Sequence, residues 1–247
     1  MPFKITLNYS PNFNTEKRLK KDVRFIILHY TGMKSEKAAV NRLTNIQSQV
    51  ASHYLITRSG KLINLVPDLY TAWHAGISSW KTINSLNKNS IGIEITNPGH
   101  QFGYKKFTKK QINSLVDLIK FLIKKYKINK RNILGHSDIA PDRKKDPGEK
   151  FPWEYLAKKN ISIWHNLDKQ KLKKLRKKKC NEIMKNLFLN NLFSIGYAKK
   201  GKNSFEKRRY HIFVVKAFQR RFRQQLVDGK IDQECLLISQ NLIQNRP

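Results

Sequence analysis

The sequence predicts an α/β protein: a mixed central β-sheet flanked by helices, followed by a second, small all-helical domain. Three observations predict it. Between Val23 and Gly135, apolar β-branched runs alternate with helical stretches in the order strand, helix, hairpin, strand, helix, strand, which is the pattern of a sheet covered by helices. After Pro152-Trp153 the pattern changes to a basic run and then amphipathic helical segments. The chain of 247 residues, 39% hydrophobic and 11% aromatic, is long enough for one large domain or two small ones with a buried core. These boundaries give an extended lead-in over 1–21, an α/β domain over 22–160, a basic linker or exposed helix over 161–179, and a helical domain over 180–247.

Taken in order, Ser10-Pro11-Asn12-Phe13-Asn14 through Lys21 is polar and proline-broken, hence extended. Val23-Arg24-Phe25-Ile26-Ile27-Leu28 is almost continuously apolar, as a strand buried on both faces requires. Ser35 can cap a helix whose apolar face carries Ala39, Leu43 and Ile46. Ser52 to Ile56 and Leu62 to Val66 flank Arg58-Ser59-Gly60-Lys61 and predict a hairpin, with the glycine supplying a positive φ. Ile77 to Asn89 has no periodicity and predicts a long polar loop. Ser90 to Ile95 alternates, setting Ile91, Ile93 and Ile95 against Gly92 and Glu94. Thr108-Lys109-Lys110-Gln111 is a capping box that starts a helix striped by Ile112, Leu115, Val116, Ile119, Leu122, Ile123 and Tyr126. Asn132 to Gly135 predicts a short strand ending at His136. Lys171 to Lys179 is the basic run, and Leu187 to Tyr197, Val214 to Phe222 and Cys235 to Ile243 are helical, with Asp228-Gly229-Lys230-Ile231-Asp232 a turn between the last two. There is no internal repeat.

The net charge is +33, from 50 Lys and Arg against 17 Asp and Glu. Such a balance suits an anionic environment: nucleic acid, a polyanionic wall, or a membrane surface. The lysines are spread along the whole chain, so a solvated lysine-rich surface accounts for them equally well. No helix-turn-helix, zinc-finger or RNA-binding signature is present, which argues against a specific nucleic-acid partner. Cys180 and Cys235 form no C-x-x-C pattern and read as buried free thiols. Met1 to Asn8 has no apolar signal region or lipid-attachment cysteine, and no run has membrane length, so the sequence reads as cytoplasmic, or periplasmic or envelope-associated if the start is trimmed.

Two histidines end apolar runs, His29 and His136, and Asp146 lies ten residues after the second, locked before Pro147-Gly148. Two imidazoles and one carboxylate make an open three-ligand zinc site with a fourth position for water. Glu94 stands on the polar side of an apolar strand, where a carboxylate costs free energy unless it is paired or used, and is the candidate general base. His100, His165 and His211 read as core or surface histidines without such a role.

Five blocks carry a family resemblance: Ile27-Leu28-His29-Tyr30-Thr31, Ser52-His53-Tyr54-Leu55-Ile56, Ala72-Trp73-His74-Ala75-Gly76, Ser90-Ile91-Gly92-Ile93-Glu94, and Gly135-His136-Ser137-Asp138 with Lys144-Lys145-Asp146-Pro147-Gly148. Together they resemble the zinc-dependent N-acetylmuramoyl-L-alanine amidases of the amidase-2 type, whose fold is shared with peptidoglycan-recognition proteins. The C-terminal helices resemble the three-helix peptidoglycan-binding domain. The resemblance implies one Zn²⁺ held by His29, His136 and Asp146, Glu94 as general base and acid, and Lys144, chosen over Lys145 by its spacing from Asp146, as oxyanion stabiliser. It implies substrate contacts at Trp73, His74 and Asn97, and a supporting role for His53 behind the ligands. The implied reaction is hydrolysis of the amide between N-acetylmuramic acid and L-alanine in peptidoglycan or muropeptides. The basic surface would meet anionic wall polymers. The alternative is a protein of the same fold that recognises muropeptide without cleaving it.

Overall fold

The computed structural model describes residues 4–244. In chain order the elements are β1 (Ile5–Leu7), β2 (Phe13–Asn14), β3 (Phe25–Tyr30), α1 (Glu36–Thr44), β4 (Tyr54–Ile56), β5 (Leu62–Asn64), β6 (Thr71–Ala72), β7 (Ser79–Trp80), β8 (Ile83–Asn84), β9 (Ser90–Ile95), α2 (Lys109–Tyr126), β10 (Ile133–Gly135), α3 (His136–Ile139), α4 (Trp153–Lys158), α5 (Lys169–Leu175), α6 (Glu182–Ile195), α7 (Ser204–Phe222) and α8 (Gln233–Gln244). The central sheet runs β1-β5-β4-β9-β3-β10, parallel throughout except for the β4–β5 hairpin. Among the described residues no helix is long and apolar enough to cross a membrane.

The continuous apolar run of β3 is explained by burial on both faces. Ile26 and Leu28 join a cluster with Ile91, Ile93, Ile95 and the stripe of α2, while Phe25 and Ile27 join a cluster with Leu134, Phe188, Val214 and Phe218. The helices α6 to α8 therefore share one apolar core with the sheet. Thr108 caps α2 as predicted, its hydroxyl accepting from Gln111 N–H while the Gln111 side chain accepts from Thr108 N–H. Gly60 has φ +86° at the hairpin, the left-handed region that a side chain disfavours.

Several elements differ from the sequence expectation. Ile46 lies beyond the end of α1 in a 3-10 turn and is 52% exposed, because Asn45 ends the helix and caps the next turn. Ile5–Leu7 enters the sheet as β1, paired in parallel with β5. The polar loop from Ile77 to Asn89 holds the small antiparallel pair β7–β8, which places Trp80 in the core. The basic run does begin as a helix, one of the two forms expected, α5, anchored by buried Leu172. Cys180 and Cys235 are free and buried, as expected.

Candidate active site

The parallel strands β3, β9 and β10 end at the same edge, and loops there form a cleft of about 690 Å³. Crevices at the carboxyl ends of parallel strands are where open α/β sheets bind ligands. His29 is the penultimate residue of β3, and Glu94 stands opposite it in register on β9. His136 follows β10 directly and starts α3, so the strand stops one residue before it. Asp146 returns on the following loop, and its carbonyl accepts from Ser137 N–H at 2.8 Å.

His29 Nδ1, His136 Nδ1 and Asp146 Oδ2 form a buried triangle with edges of 2.9, 3.0 and 3.0 Å. The protons of the two imidazoles lie elsewhere. Ser90 Oγ donates to the Leu86 carbonyl at 2.6 Å and so accepts from His74 Nε2 at 3.2 Å. His74 Nδ1 is then an acceptor, and His29 Nε2 donates to it at 3.1 Å. His136 Nε2 donates to the Ala75 carbonyl at 3.1 Å. A neutral imidazole has one proton, so both Nδ1 atoms present lone pairs to each other and to a carboxylate oxygen. Three acceptors facing one point, with no donor among them, fit a cation. Zinc bonds of about 2.0–2.1 Å at tetrahedral angles separate ligands by about 3.3 Å, within a few tenths of an ångström of these edges.

Burial pushes the His29 pKa down to about 4, so the ring is neutral near pH 7. Burial would favour the acid form of Asp146, but the neighbouring His136 and His29 outweigh it and hold the carboxyl well below its ordinary range. Burial, followed by the charge of Asp146, pushes Glu94 up to about 8, partly offset by Lys144 and Arg42. Glu94 Oε2 is buried without a hydrogen-bond partner, although Glu94 lines the cleft.

The cleft brings together His29, His74, Glu94, His136, Lys144 and Asp146. His74 is buried, and both its ring nitrogens are engaged, by His29 and Ser90. Gly92 makes room for it: a Cβ there would collide with the His74 ring. His53 is fully buried, its Nδ1 accepting from Gly92 N–H at 3.0 Å and its Nε2 lying 3.0 Å from the Tyr70 carbonyl, with its ring edge-on to His74. Trp73 does not line the cleft; it is half-buried and its indole donates to Asn14 Oδ1 at 2.5 Å. Asn97 lies outside the lining too, its side chain donating to the Lys105 carbonyl at 2.8 Å and accepting from Gly99 N–H at 3.1 Å, which shapes the rim loop. His100, read from sequence as having no role, forms part of the cleft wall, bonded to the Tyr30 hydroxyl at 2.9 Å and to Glu149 at 3.0 Å. His165 and His211 lie away from the cleft beside Trp164 and Phe193.

Sequence reasoning gave no role to Ser90 or Arg143. Ser90 fixes the direction of the His74–His29 hydrogen bonds. Arg143 donates to the carbonyls of Ala75 and Ile77, tying the loop after His74 to the loop that carries Asp146. Ser90 stands four residues before Glu94 in the sequence, but its use depends on His74 arriving from another loop.

Fold and site together are those of a hydrolytic enzyme. Residues 19–149 match the family model for N-acetylmuramoyl-L-alanine amidase, and the chain belongs to that family. It is 34% identical over 235 residues to the N-acetylmuramoyl-L-alanine amidase AmiD of Escherichia coli (strain K12), covering 90% of this chain and 83% of the relative. The structure of Escherichia coli AmiD in complex with the substrate anhydro-N-acetylmuramic acid-L-Ala-D-γ-Glu-L-Lys is similar, with a TM-score of 0.78 and 32% identity over 94% of this chain and 92% of that one. AmpDh3 of Pseudomonas aeruginosa, in complex with an anhydromuramic pentapeptide, is similar at TM-score 0.79 and 32% identity over 98% and 99% of the two chains.

Proposed function

We propose that this amidase is zinc-dependent, cleaves the amide between N-acetylmuramic acid and L-alanine, and accepts 1,6-anhydro-muramyl peptides of the kind bound by its relatives. The observation that carries the metal reading is the triangle of three acceptor atoms at His29, His136 and Asp146 with no proton among them. A zinc ion held there supplies Lewis-acid polarisation of the scissile carbonyl and a lowered pKa for attacking water.

The chain's residues do the rest. Glu94, unpartnered in the cleft, takes a proton from the attacking water as the bond to carbonyl carbon forms. It then gives that proton to the alanine nitrogen as the C–N bond breaks. A carboxyl pushed toward neutral pH is suited to both transfers. Lys144 and Lys145 both line the cleft, and the charge of Lys144 acts on both Glu94 and His29. It offsets oxyanion charge, which develops only in the transition state. The unpartnered Glu94 favours catalysis over mere recognition of muropeptide, since a binding protein would gain nothing from a buried carboxylate kept without a partner.

The division into an α/β unit over 22–160 and a helical unit over 180–247 belongs to this reading, with α6 to α8 holding glycan and the basic surface meeting anionic wall polymers. The test of the catalytic assignment is Glu94→Gln acting on a soluble anhydro-muramyl tripeptide. Stoichiometric zinc with activity reduced about 10²–10⁴-fold is expected. A fully active variant would remove Glu94 from the mechanism.

A further inference from the structure

The C-terminal helices reach the metal loop through one buried carboxylate. Asp138, 1% exposed, lies in α3 two residues after His136. Its Oδ2 accepts from Gly135 N–H at 2.8 Å and from Arg221 Nη1 at 2.8 Å, and its Oδ1 accepts from the Tyr197 hydroxyl at 2.7 Å. Arg221 Nη2 also donates to the Ile133 carbonyl at 2.9 Å. These contacts bracket His136, with Ile133 and Gly135 before it and Asp138 after it.

Both outer partners come from the C-terminal region, Tyr197 just after α6 and Arg221 in the last turn of α7. Each is itself held in place. The Arg221 guanidinium lies 4.6 Å from the Trp153 ring centre and 4.9 Å from that of Phe222, and Tyr197 packs edge-on against Trp80 at 5.0 Å. Helix α3, by contrast, spans only His136–Ile139 and is far too short to hold its shape by helical cooperativity. Its orientation must come from outside, and the bonds through Asp138 supply it together with those from Ser137 N–H to the Asp146 carbonyl and from His136 Nε2 to the Ala75 carbonyl.

We infer that the C-terminal helical region is a support of the active site, with Arg221 and Tyr197 as positioning residues that set the His136 imidazole through Asp138. The inference rests on the metal reading of His29, His136 and Asp146. Groups bonded directly to a metal ligand change affinity by about 10–100-fold when removed, and Arg221 and Tyr197 act one residue further back, through Asp138. A residue that only stabilised the fold would lower the unfolding midpoint and leave the folded protein's zinc affinity unchanged.

The experiment measures zinc affinity of the full-length chain by competition with a chromogenic chelator, under conditions where circular dichroism shows each variant folded. Arg221→Met should weaken zinc binding up to about tenfold, the low end of the range for a direct partner, Arg221→Lys should recover part of the loss, and Tyr197→Phe should weaken it about two- to threefold. Phe188→Leu, which disturbs packing on Phe218 away from Asp138, should lower the unfolding midpoint with affinity unchanged. Wild-type affinity in both Arg221→Met and Tyr197→Phe would overturn the inference. If Arg221→Met fails to fold, Tyr197→Phe decides alone, since it loses one hydroxyl and keeps its ring on Trp80. A wild-type chain without stoichiometric zinc would overturn the metal reading itself, and this inference with it.

Discussion

In the metal-free protein, Glu94→Gln should make stability less dependent on pH above the ordinary carboxylate range. Burial pushes Glu94 from 4.5 up to about 8, so between those values the folded chain keeps a proton that the unfolded chain releases. A carboxyl raised in the fold gives stability that is complete below about 4.5 and is lost as pH rises through about 8. Moving it from 4.5 to about 8 corresponds to about 5 kcal/mol at 1.36 kcal/mol per pH unit. Glu94 keeps some exposure to the cleft, and solvent screening there brings the expected effect down to about 2–3 kcal/mol. Glutamine has the same shape and does not titrate. Denaturant unfolding of chelator-treated wild type and Glu94→Gln at about pH 5 and pH 8 reads the difference, from which the histidines shared by both proteins cancel. The wild type should lose about 1.5–2 kcal/mol more than the variant over that interval, about three quarters of the full effect. Parallel stability profiles would refute the claim that the carboxyl is buried without a partner.

Gly92→Ala should push the His74 ring off the strand, weaken the hold on His29 and cost about 1–3 kcal/mol, read by unfolding midpoint and zinc affinity together; unchanged zinc affinity would separate His74 from the metal. Lys144→Met should keep zinc and lower kcat about 10²–10³-fold, while Lys145→Met costs less than about tenfold; equal losses would return the two lysines to a shared electrostatic role. Acid should destabilise the metal-free chain. Burial lowers His29 to about 4 and His53 to about 3, so their contribution is present above about 6.5 and lost as pH falls toward those values. Thermal midpoints falling steadily below about pH 6.5 are expected, and a flat profile to pH 4 would contradict the burial of these rings.

Local pattern made the sheet, α1, α2 and the β4–β5 hairpin legible, because each has its own signal: the continuous apolar run of β3, the alternation of β9, the Ser35 cap, the Thr108 capping box and Gly60. The convergence of His29 and His136 was legible because both end such runs. The two-residue strands and β1 were not. The β7–β8 pair has too few residues for alternation to show, and β1 is defined by a parallel partner more than fifty residues away. The long α7 showed only its apolar end in the sequence, since Ser204 to Arg209 is mostly exposed. His100 carried no local signal, because its place in the cleft wall depends on Tyr30 at the end of β3 and Glu149 on a separate loop. Trp73 and Asn97 stand near site residues in the sequence, and in the fold their side chains bond to Asn14 and to the Lys105 carbonyl. Asp138 was visible beside His136, but Arg221 lies 83 residues on, and only the fold joins them.

The most direct measurement is mass spectrometry of an anhydro-muramyl tripeptide after incubation with the chain, with chelator, and with chelator followed by zinc. Release of a free peptide beginning at L-alanine, abolished by chelator and restored by zinc, is expected. Intact substrate with zinc bound, or cleavage indifferent to chelator, would contradict it.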